Sequence, residues 1–471
     1  MTDILALLQP IQNSVSQTTM RQLSQIIVAM IAMTGRVTML GLSRWTAKGG
    51  SYRTVQRFFY TIIPWAQVFW TFFREHLMDC QDTYLLAGDE CVVTKAGKQT
   101  HGLDYFFSSL RQKAVPGLSF FTLSLVSIKQ RRSYPICVEQ MIRTAEEKAA
   151  SKAKKEAKKA KPAHPKRNPG RPKGSRNKNK ADVVLNPELQ RIQKMLQSFL
   201  NTIQGTIHLT YLVLDGHFGN HPAFHMVRLC QLHLISKLRY DAALHFAYAG
   251  PSPKRGPTPR LGEQVDVRKI PDQYLKEIQT KEGFETRTYQ MQLLHKDFPD
   301  PLNVVILLRS NLATKAWANV ILFSSDLELS YDKLIDYYSL RFQIEFNFRD
   351  AKQFWGLEDF MNVAPTAVTN AANLALFMTD VSQVLMCQYR QDDPNFSVLD
   401  LKAYYRGYRY VTETILMLPQ KPDDNLVSQL FYKVAALGRI HPVKEPVLTC
   451  PQEYVPLIMI VQVVEIGESF Q

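Results

Sequence analysis

The sequence predicts an α/β protein of several domains, with helices at its start, a strand-rich middle and a late helix carrying charge. Three observations predict this. Apolar residues recur at helical spacing over the first eighty residues. Short apolar runs of strand type begin at residue 83. A long helical pattern then returns at 330–360. A chain of 471 residues exceeds one ordinary core, so roughly two to four domains are expected.

In the first segment, Leu23, Ile26, Ile27, Met30 and Ile31 mark one face of a helix. GLSRWTAKGGSYRTVQRFFY (41–60) then reads as a turn, a Ser cap at Ser51 and a helix with Arg53 and Arg57 one turn apart. Such a helix is either a DNA-reading element or a solvated face. The aromatic run IIPWAQVFWTFF (62–73) reads as core. Three strands are expected, within TYLLAGDECVVTKAGK (83–98), YFFSSL (105–110) and GLSFFTLSLVSI (117–128). A helix follows at 186–203. The run TIHLTYLVLDGHFGN (206–220) then reads as a buried fourth strand ending at Asp215-Gly216. Residues 218–328 have a β texture, interrupted by the Pro- and Gly-rich loop 249–262. SYDKLIDYYSLRFQIEFNFRDAKQFWGLEDF (330–360) reads as one long helix with Ser330 at its N-cap.

Charge is concentrated. The net charge is +15, from 57 Lys and Arg against 42 Asp and Glu. Residues 141–180 hold 15 basic residues and 3 Glu, a net of +12, so only +3 is left for the rest. A near-neutral body with one intensely basic segment suits a polyanion, most simply nucleic acid. Apolar content of 45% and charged content of 21% fit a soluble globular chain. The start MTDILALLQP lacks a basic signal region, and the apolar run IIVAMIAM (26–33) is too short to span a bilayer. No membrane association is expected. Six scattered cysteines without a CxxC pair argue for a reducing cytoplasm. His217, His221, His225 and His233 are spaced four, four and eight apart. Gly219 and Pro222 break the first turn, so zinc is not the expected ligand.

Three acids stand out. Asp89 lies inside an apolar strand, Asp215 ends another, and Glu345 lies in a helix with apolar residues on most sides. On a straight helix, Tyr338, Arg341, Glu345 and Lys352 fall at about 0°, −60°, −20° and −40°, one narrow polar stripe. One reading pairs Glu345 with Arg341 or Arg349, one turn away on either side. The other joins Glu345 to the two strand-borne Asp residues. Two Asp and one Glu are the hard oxygen donors that a two-metal phosphoryl-transfer site needs. Arg349 and Asp350 fall outside the stripe and read as a plain structural pair.

Tyr338-x2-Arg341-x3-Glu345-x6-Lys352 resembles the YREK signature of cut-and-paste insertion-sequence transposases of the DDE type. SYRTVQRFF (51–59), LISKLRYDAALH (234–245), LFSSDLELS and KQFWGLE are similar in style to that family. The resemblance implies an RNase H-like catalytic core, with a β-rich insertion between the second Asp and the Glu and a helical N-terminal DNA-binding domain. It implies that Asp89, Asp215 and Glu345 are the catalytic, metal-binding triad for two Mg²⁺ ions, with Mn²⁺ as a substitute. It also implies that Tyr338, Arg341 and Lys352 contact DNA near the scissile phosphate. The expected partners are double-stranded DNA, as transposon ends and target, and a second copy of the chain in a synaptic dimer. The expected location is the bacterial cytoplasm, at the nucleoid when bound to DNA.

The domains that follow are 1–80 (helical, DNA-binding), 81–217 (first part of the core, with 141–182 a basic, flexible insertion), 218–328 (β-rich insertion) and 329–395 (second part of the core). Residues 396–471 form a C-terminal region assigned to dimerisation or DNA contacts. NPGRPKGSR (168–176) resembles an AT-hook. Arg171 would lie in a narrow A·T minor groove and Lys173 against phosphate. Pro169 stands where a basic residue is usual, so a generic cationic linker is the other reading.

Overall fold

Local sequence accounts for the N-terminal helices α1 (Ile4–Leu8), α2 (Gln17–Ala32), α3 (Met39–Ser43), α4 (Tyr52–Tyr60) and α5 (Trp65–His76). Ser16 starts α2 by accepting the Thr19 N–H at 3.2 Å. Leu23, Ile26, Ile27, Met30 and Ile31 are all buried. Ser51 caps α4 through the Thr54 N–H at 3.4 Å. Val55, Phe58 and Phe59 of α4 are buried, whereas Arg53 and Arg57 are exposed. The computed structural model describes residues 4–46, 50–108, 112–149, 153, 156, 183–251, 258–420 and 422–441.

The chain divides into two units. The first comprises Met1–Asp79, Lys95–His101 and Asn347–Gln471. Besides α1–α5, it holds the helices at Pro365–Tyr389, Val398–Met417 and Asp424–Ala436. Asn370 is buried and ties the α4–α5 link to the first of these. It accepts the Trp65 indole N–H at 2.8 Å and donates to the Phe59 and Thr61 carbonyls at 2.9 and 2.7 Å. At the C-terminus of α2, Lys402 Nζ donates to the Met30 carbonyl at 2.6 Å and Arg406 Nε to that of Ala32 at 3.1 Å. Two cations thus satisfy carbonyls that the helix leaves open.

The second unit comprises Cys80–Thr94 and Gly102–Phe346 and is built on one mixed sheet. Its strands are β1 (Tyr84–Thr94), β2 (Asp104–Ser108), β3 (Lys113–Ser127), β4 (Arg132–Gln140), β5 (Tyr211–Leu214), β6 (His233–Leu238), β7 (Leu244–Ala247), β8 (Leu261–Gln264), β9 (Leu275–Lys281), β10 (Phe284–His295), β11 (Leu302–Asn311) and β12 (Trp317–Ser324). Spatially they run β2-β3-β1-β5-β6-β12-β11-β10-β7-β8, with β4 also on β3 and β9 also on β10. β1 is antiparallel to β3 and parallel to β5, and β5 is parallel to β6. The helix α6 (Pro187–Ile203) precedes β5, and α7 (His221–Leu229) links β5 to β6 as a parallel crossover requires. β12 returns antiparallel to β6.

Three local expectations are revised. The run RSYPICVEQ forms β4, a strand the sequence pattern hides behind Pro135. Proline is tolerated because β4 is an edge strand, paired among the described residues only with β3, and the register slips between Leu123 and Ser124, beside it. Asp215 therefore follows the fifth strand, not the fourth. Residues 330–360 are not one helix but two, α8 (Tyr331–Leu340) and α9 (Gln343–Phe354). Between them the N–H groups of Phe342, Ile344 and Glu345 bond three residues back, to Ser339, Arg341 and Phe342. That tighter turn resets the helical phase. Ser330 sits at the N-cap of α8, but its hydroxyl bonds Asp332 rather than the backbone.

Cys91, Cys137 and Cys230 are buried free thiols, Cys80 and Cys387 are exposed, and Cys450 lies outside the described residues. Among the described residues no helix is long and apolar enough to cross a membrane.

Candidate active site

Five of the residues singled out above meet in the second unit. Asp89 is placed by β1. The register pairs Ala87 with Val213 and Gly88 with Leu214, so Asp89 and Asp215 come next along two parallel neighbours, at the same level. Gly88 permits this approach. A Cβ there would lie 2.8 Å from Leu214 Cδ2 and 2.8 Å from Phe121 Cζ. Asp215 leaves β5 as the N-cap of a short 3₁₀ turn, accepting the His217 N–H at 3.1 Å. Its carbonyl is held by the Ser236 hydroxyl of β6 at 2.7 Å.

Glu345 enters from the first turn of α9. Arg341, in the turn before it, joins the acids. One terminal nitrogen donates to Asp89 Oδ2, and the other lies 3.6 Å from Glu345 Oε1. Arg341 Cζ also lies 5.9 Å from the centre of the Tyr338 ring. The i, i+4 pairing of Glu345 with Arg341 is thus present, and Arg341 has a second partner, Asp89, far away in sequence.

Burial pushes the Asp89 carboxyl up to about 6, while the Arg341 guanidinium and the Glu90 N–H act against the rise. The negative charges of Asp215 and Glu345 add to it. Burial likewise raises the Tyr338 hydroxyl, Arg341 opposes, and Asp215 and Asp89 reinforce. Such perturbation at a cluster of acids is a mark of functional sites, although ion-pair networks produce it too.

The donor set is all carboxylate, the chemistry that hard divalent ions prefer. Among the described residues, no three His, Cys, Asp or Glu side chains are yet positioned to hold a metal ion. Arg341 contacts two of the three acids, Asp89 and Glu345. The donors fit a divalent cation by type.

Lys352 is on α9 beyond the unit boundary, and its Nζ lies 3.4 Å from Glu358 Oε1 in the first unit. Arg53 and Arg57 lie on α4 of the first unit, exposed and with no ion-pair partner among the described residues. Arg349 pairs with Asp350 at 3.0 Å. Arg171 and Lys173 lie outside the described residues. Among the histidines, His217 faces Glu188 at 3.5 Å, and His233 Nδ1 lies 3.2 Å from the Ser325 hydroxyl. Sequence reasoning missed Gly88, although a glycine beside an acid in an apolar strand is itself a sign of close approach. It also missed the bond from Arg341 to Asp89, which no local pattern reveals.

No curated protein matches the chain. A family model described as DDE superfamily endonuclease matches residues 10–296, more than half of the sequence. The match takes in Asp89 and Asp215 and stops before Glu345. Such endonucleases act on DNA and generally use divalent metal ions, the chemistry that clustered carboxylates serve. The chain belongs to the DDE superfamily endonucleases, which supports a nuclease of the DDE-transposase type.

Proposed function

We propose that the protein is a DNA transposase that binds the terminal inverted repeats of a mobile element, cleaves its ends and joins the freed 3′-OH to target DNA. The observation that carries this reading is the convergence of Asp89, Asp215 and Glu345 from two adjacent parallel strands and a late helix. The strand order β4-β3-β1-β5-β6, with β1 parallel to β5 and β5 to β6, supports an RNase H-like core. Strands β7–β12 then constitute the insertion between Asp215 and Glu345. The core would comprise 81–217 and 329–395, with β6, drawn from the stretch 218–328, completing its sheet; 1–80 and the basic segment 141–182 would bind DNA and 396–471 would serve dimerisation or DNA contacts.

In this reading Asp89, Asp215 and Glu345 would hold two Mg²⁺ ions, or Mn²⁺ in their place, supplying Lewis acidity to the attacking and leaving oxygens. The chain's own groups do the rest. Tyr338 donates its hydroxyl to a phosphate oxygen beside the scissile bond, and Arg341 and Lys352 neutralise phosphate charge. Arg53 and Arg57 on the exposed face of α4 bind the duplex. A synaptic dimer would hold both ends for joining.

The test is Glu345→Ala on a plasmid carrying the element's flanking inverted repeats. Cleavage and joining should fall by more than about a hundredfold, while end binding persists. Retained Mg²⁺-dependent cutting would sink the assignment. The family description supports a second reading, a nuclease that cuts without integrating. Supplying a pre-cut end separates the two, because only a transposase joins it to plasmid DNA.

A further inference from the structure

Arg341 sits where a metal ion would have to enter. Only 13% of its side chain is exposed. Its guanidinium donates to Asp89 Oδ2, taking an acceptor position that a hard cation needs, and lies 3.6 Å from Glu345 Oε1, opposing that cation with its own charge. The seat is also imperfect for the arginine. Its Nε is buried and meets no acceptor among the described residues. A phosphate group offers more acceptor oxygens in a geometry that suits the planar fork.

We propose that Arg341 is an internal counter-ion that competes with divalent metal for Asp89 and Glu345, and that a DNA phosphate relieves the competition by drawing the guanidinium away. This rests on the metal-binding reading of the three acids given above. Without DNA the guanidinium holds the acids and metal binds weakly. With DNA, Arg341 exchanges carboxylate for phosphate and the acids open. Metal and DNA therefore strengthen each other's binding by the same factor, as linkage requires.

Mn²⁺ binding to the full-length protein without DNA, read from the electron paramagnetic resonance of free Mn²⁺, tests the competition. Arg341→Gln should bind Mn²⁺ at least about fivefold more tightly than wild type, with Arg341→Lys in between and Glu345→Ala much weaker. Misfolding would weaken binding rather than strengthen it. Should Arg341→Gln not fold, the Arg341→Lys comparison decides. If neither variant binds Mn²⁺ more tightly while Glu345→Ala loses it, the competition is overturned and the metal site stands. If Glu345→Ala binds as wild type does, the metal site falls and the proposal with it. Fluorescence anisotropy of a short labelled mixed-sequence duplex tests the second half. Mn²⁺ should strengthen binding by wild type relative to Arg341→Gln, and an equal effect in both would overturn the coupling to DNA.

Discussion

Gly88→Ala tests whether the close approach of β1 to β5 positions the acids. The added Cβ would lie 2.8 Å from both Leu214 Cδ2 and Phe121 Cζ, with Phe121 Cε1 at 3.2 Å. Ordinary contact begins at 3.4 Å, so each wall must retreat by about 0.6 Å. Leu214 and Phe121 are 0% and 1% exposed, so neither can swing into solvent. Overpacking of this kind costs about 1–3 kcal/mol. For a unit of this size that lowers the melting temperature by several degrees, at roughly 2–4 °C per kcal/mol. Asp89 follows Gly88 directly, and a displacement of under 1 Å at a reacting group can cost about tenfold or more in rate. Differential scanning calorimetry and Mg²⁺-dependent cleavage on the same preparation read both effects. Adding Leu214→Val removes the clashing methyl and should restore part of each loss, a coupling that a double-mutant cycle measures. Alanine at 88 that melts within about a degree of wild type and cuts at the same rate would refute the argument.

Other perturbations separate the two units. Arg53→Ala and Arg57→Ala should leave stability within about 0.5 kcal/mol, because both side chains are exposed and unpaired among the described residues. Each should weaken duplex binding and lower the slope of log affinity against log salt by about one, read by anisotropy across a salt series. Lys402 supplies a pH test. Burial, with Arg406 nearby, lowers its ammonium from 10.5 to about 7. Between those values the unfolded chain binds the proton that the folded chain has released, so this group makes stability rise with pH from about 7 to 10. Lys402→Met should flatten that part of the wild-type profile in thermal melts. An unchanged slope would show that Lys402 keeps its charge in the fold.

What the sequence reveals of this protein is mostly local. The Ser51 cap, the buried stripe of α2 and the Arg349–Asp350 pair follow from spacings of one to four residues. The capping box Ser397-x-x-Asp400 was equally readable, yet the C-terminal segment carried no recognised pattern. Long-range relations were hidden. Pro135 reads as a breaker until β4 is known to be an edge strand. The α8–α9 break leaves no trace in the spacing, and the run Phe342, Ile344, Phe346, Phe348 puts apolar residues on more than one face of α9. Ile344 and Phe348 are buried while Phe342 and Phe346 are exposed, so helix packing settled what the pattern left ambiguous. Arg341 is the clearest case. Its neighbour at i+4 was visible, but Asp89, 252 residues earlier, was not.

The placement of Glu345 follows from how the chain comes back from the strands that precede it. After β6 the chain builds β7–β11, then β12 returns onto β6 with Ser324 opposite Ile235. Three bonds hold that return. The Ser325 N–H donates to the Leu234 carbonyl at 3.0 Å, the Leu234 N–H donates to the Ser325 hydroxyl at 3.0 Å, and the Tyr211 hydroxyl donates to Asp326 at 2.6 Å. Tyr211 and Leu234 belong to β5 and β6, so the start of α8 is fixed against the same two strands that set Asp215. The distance from Asp215 to Glu345 is therefore governed by the β6–β12 register and these clamps, not by the length of chain in β7–β11. Shortening the outer loops of β7–β11 should therefore leave Mg²⁺-dependent cleavage unchanged, whereas a one-residue deletion that slips β12 against β6 should abolish it, and equal activity in both variants would refute this account.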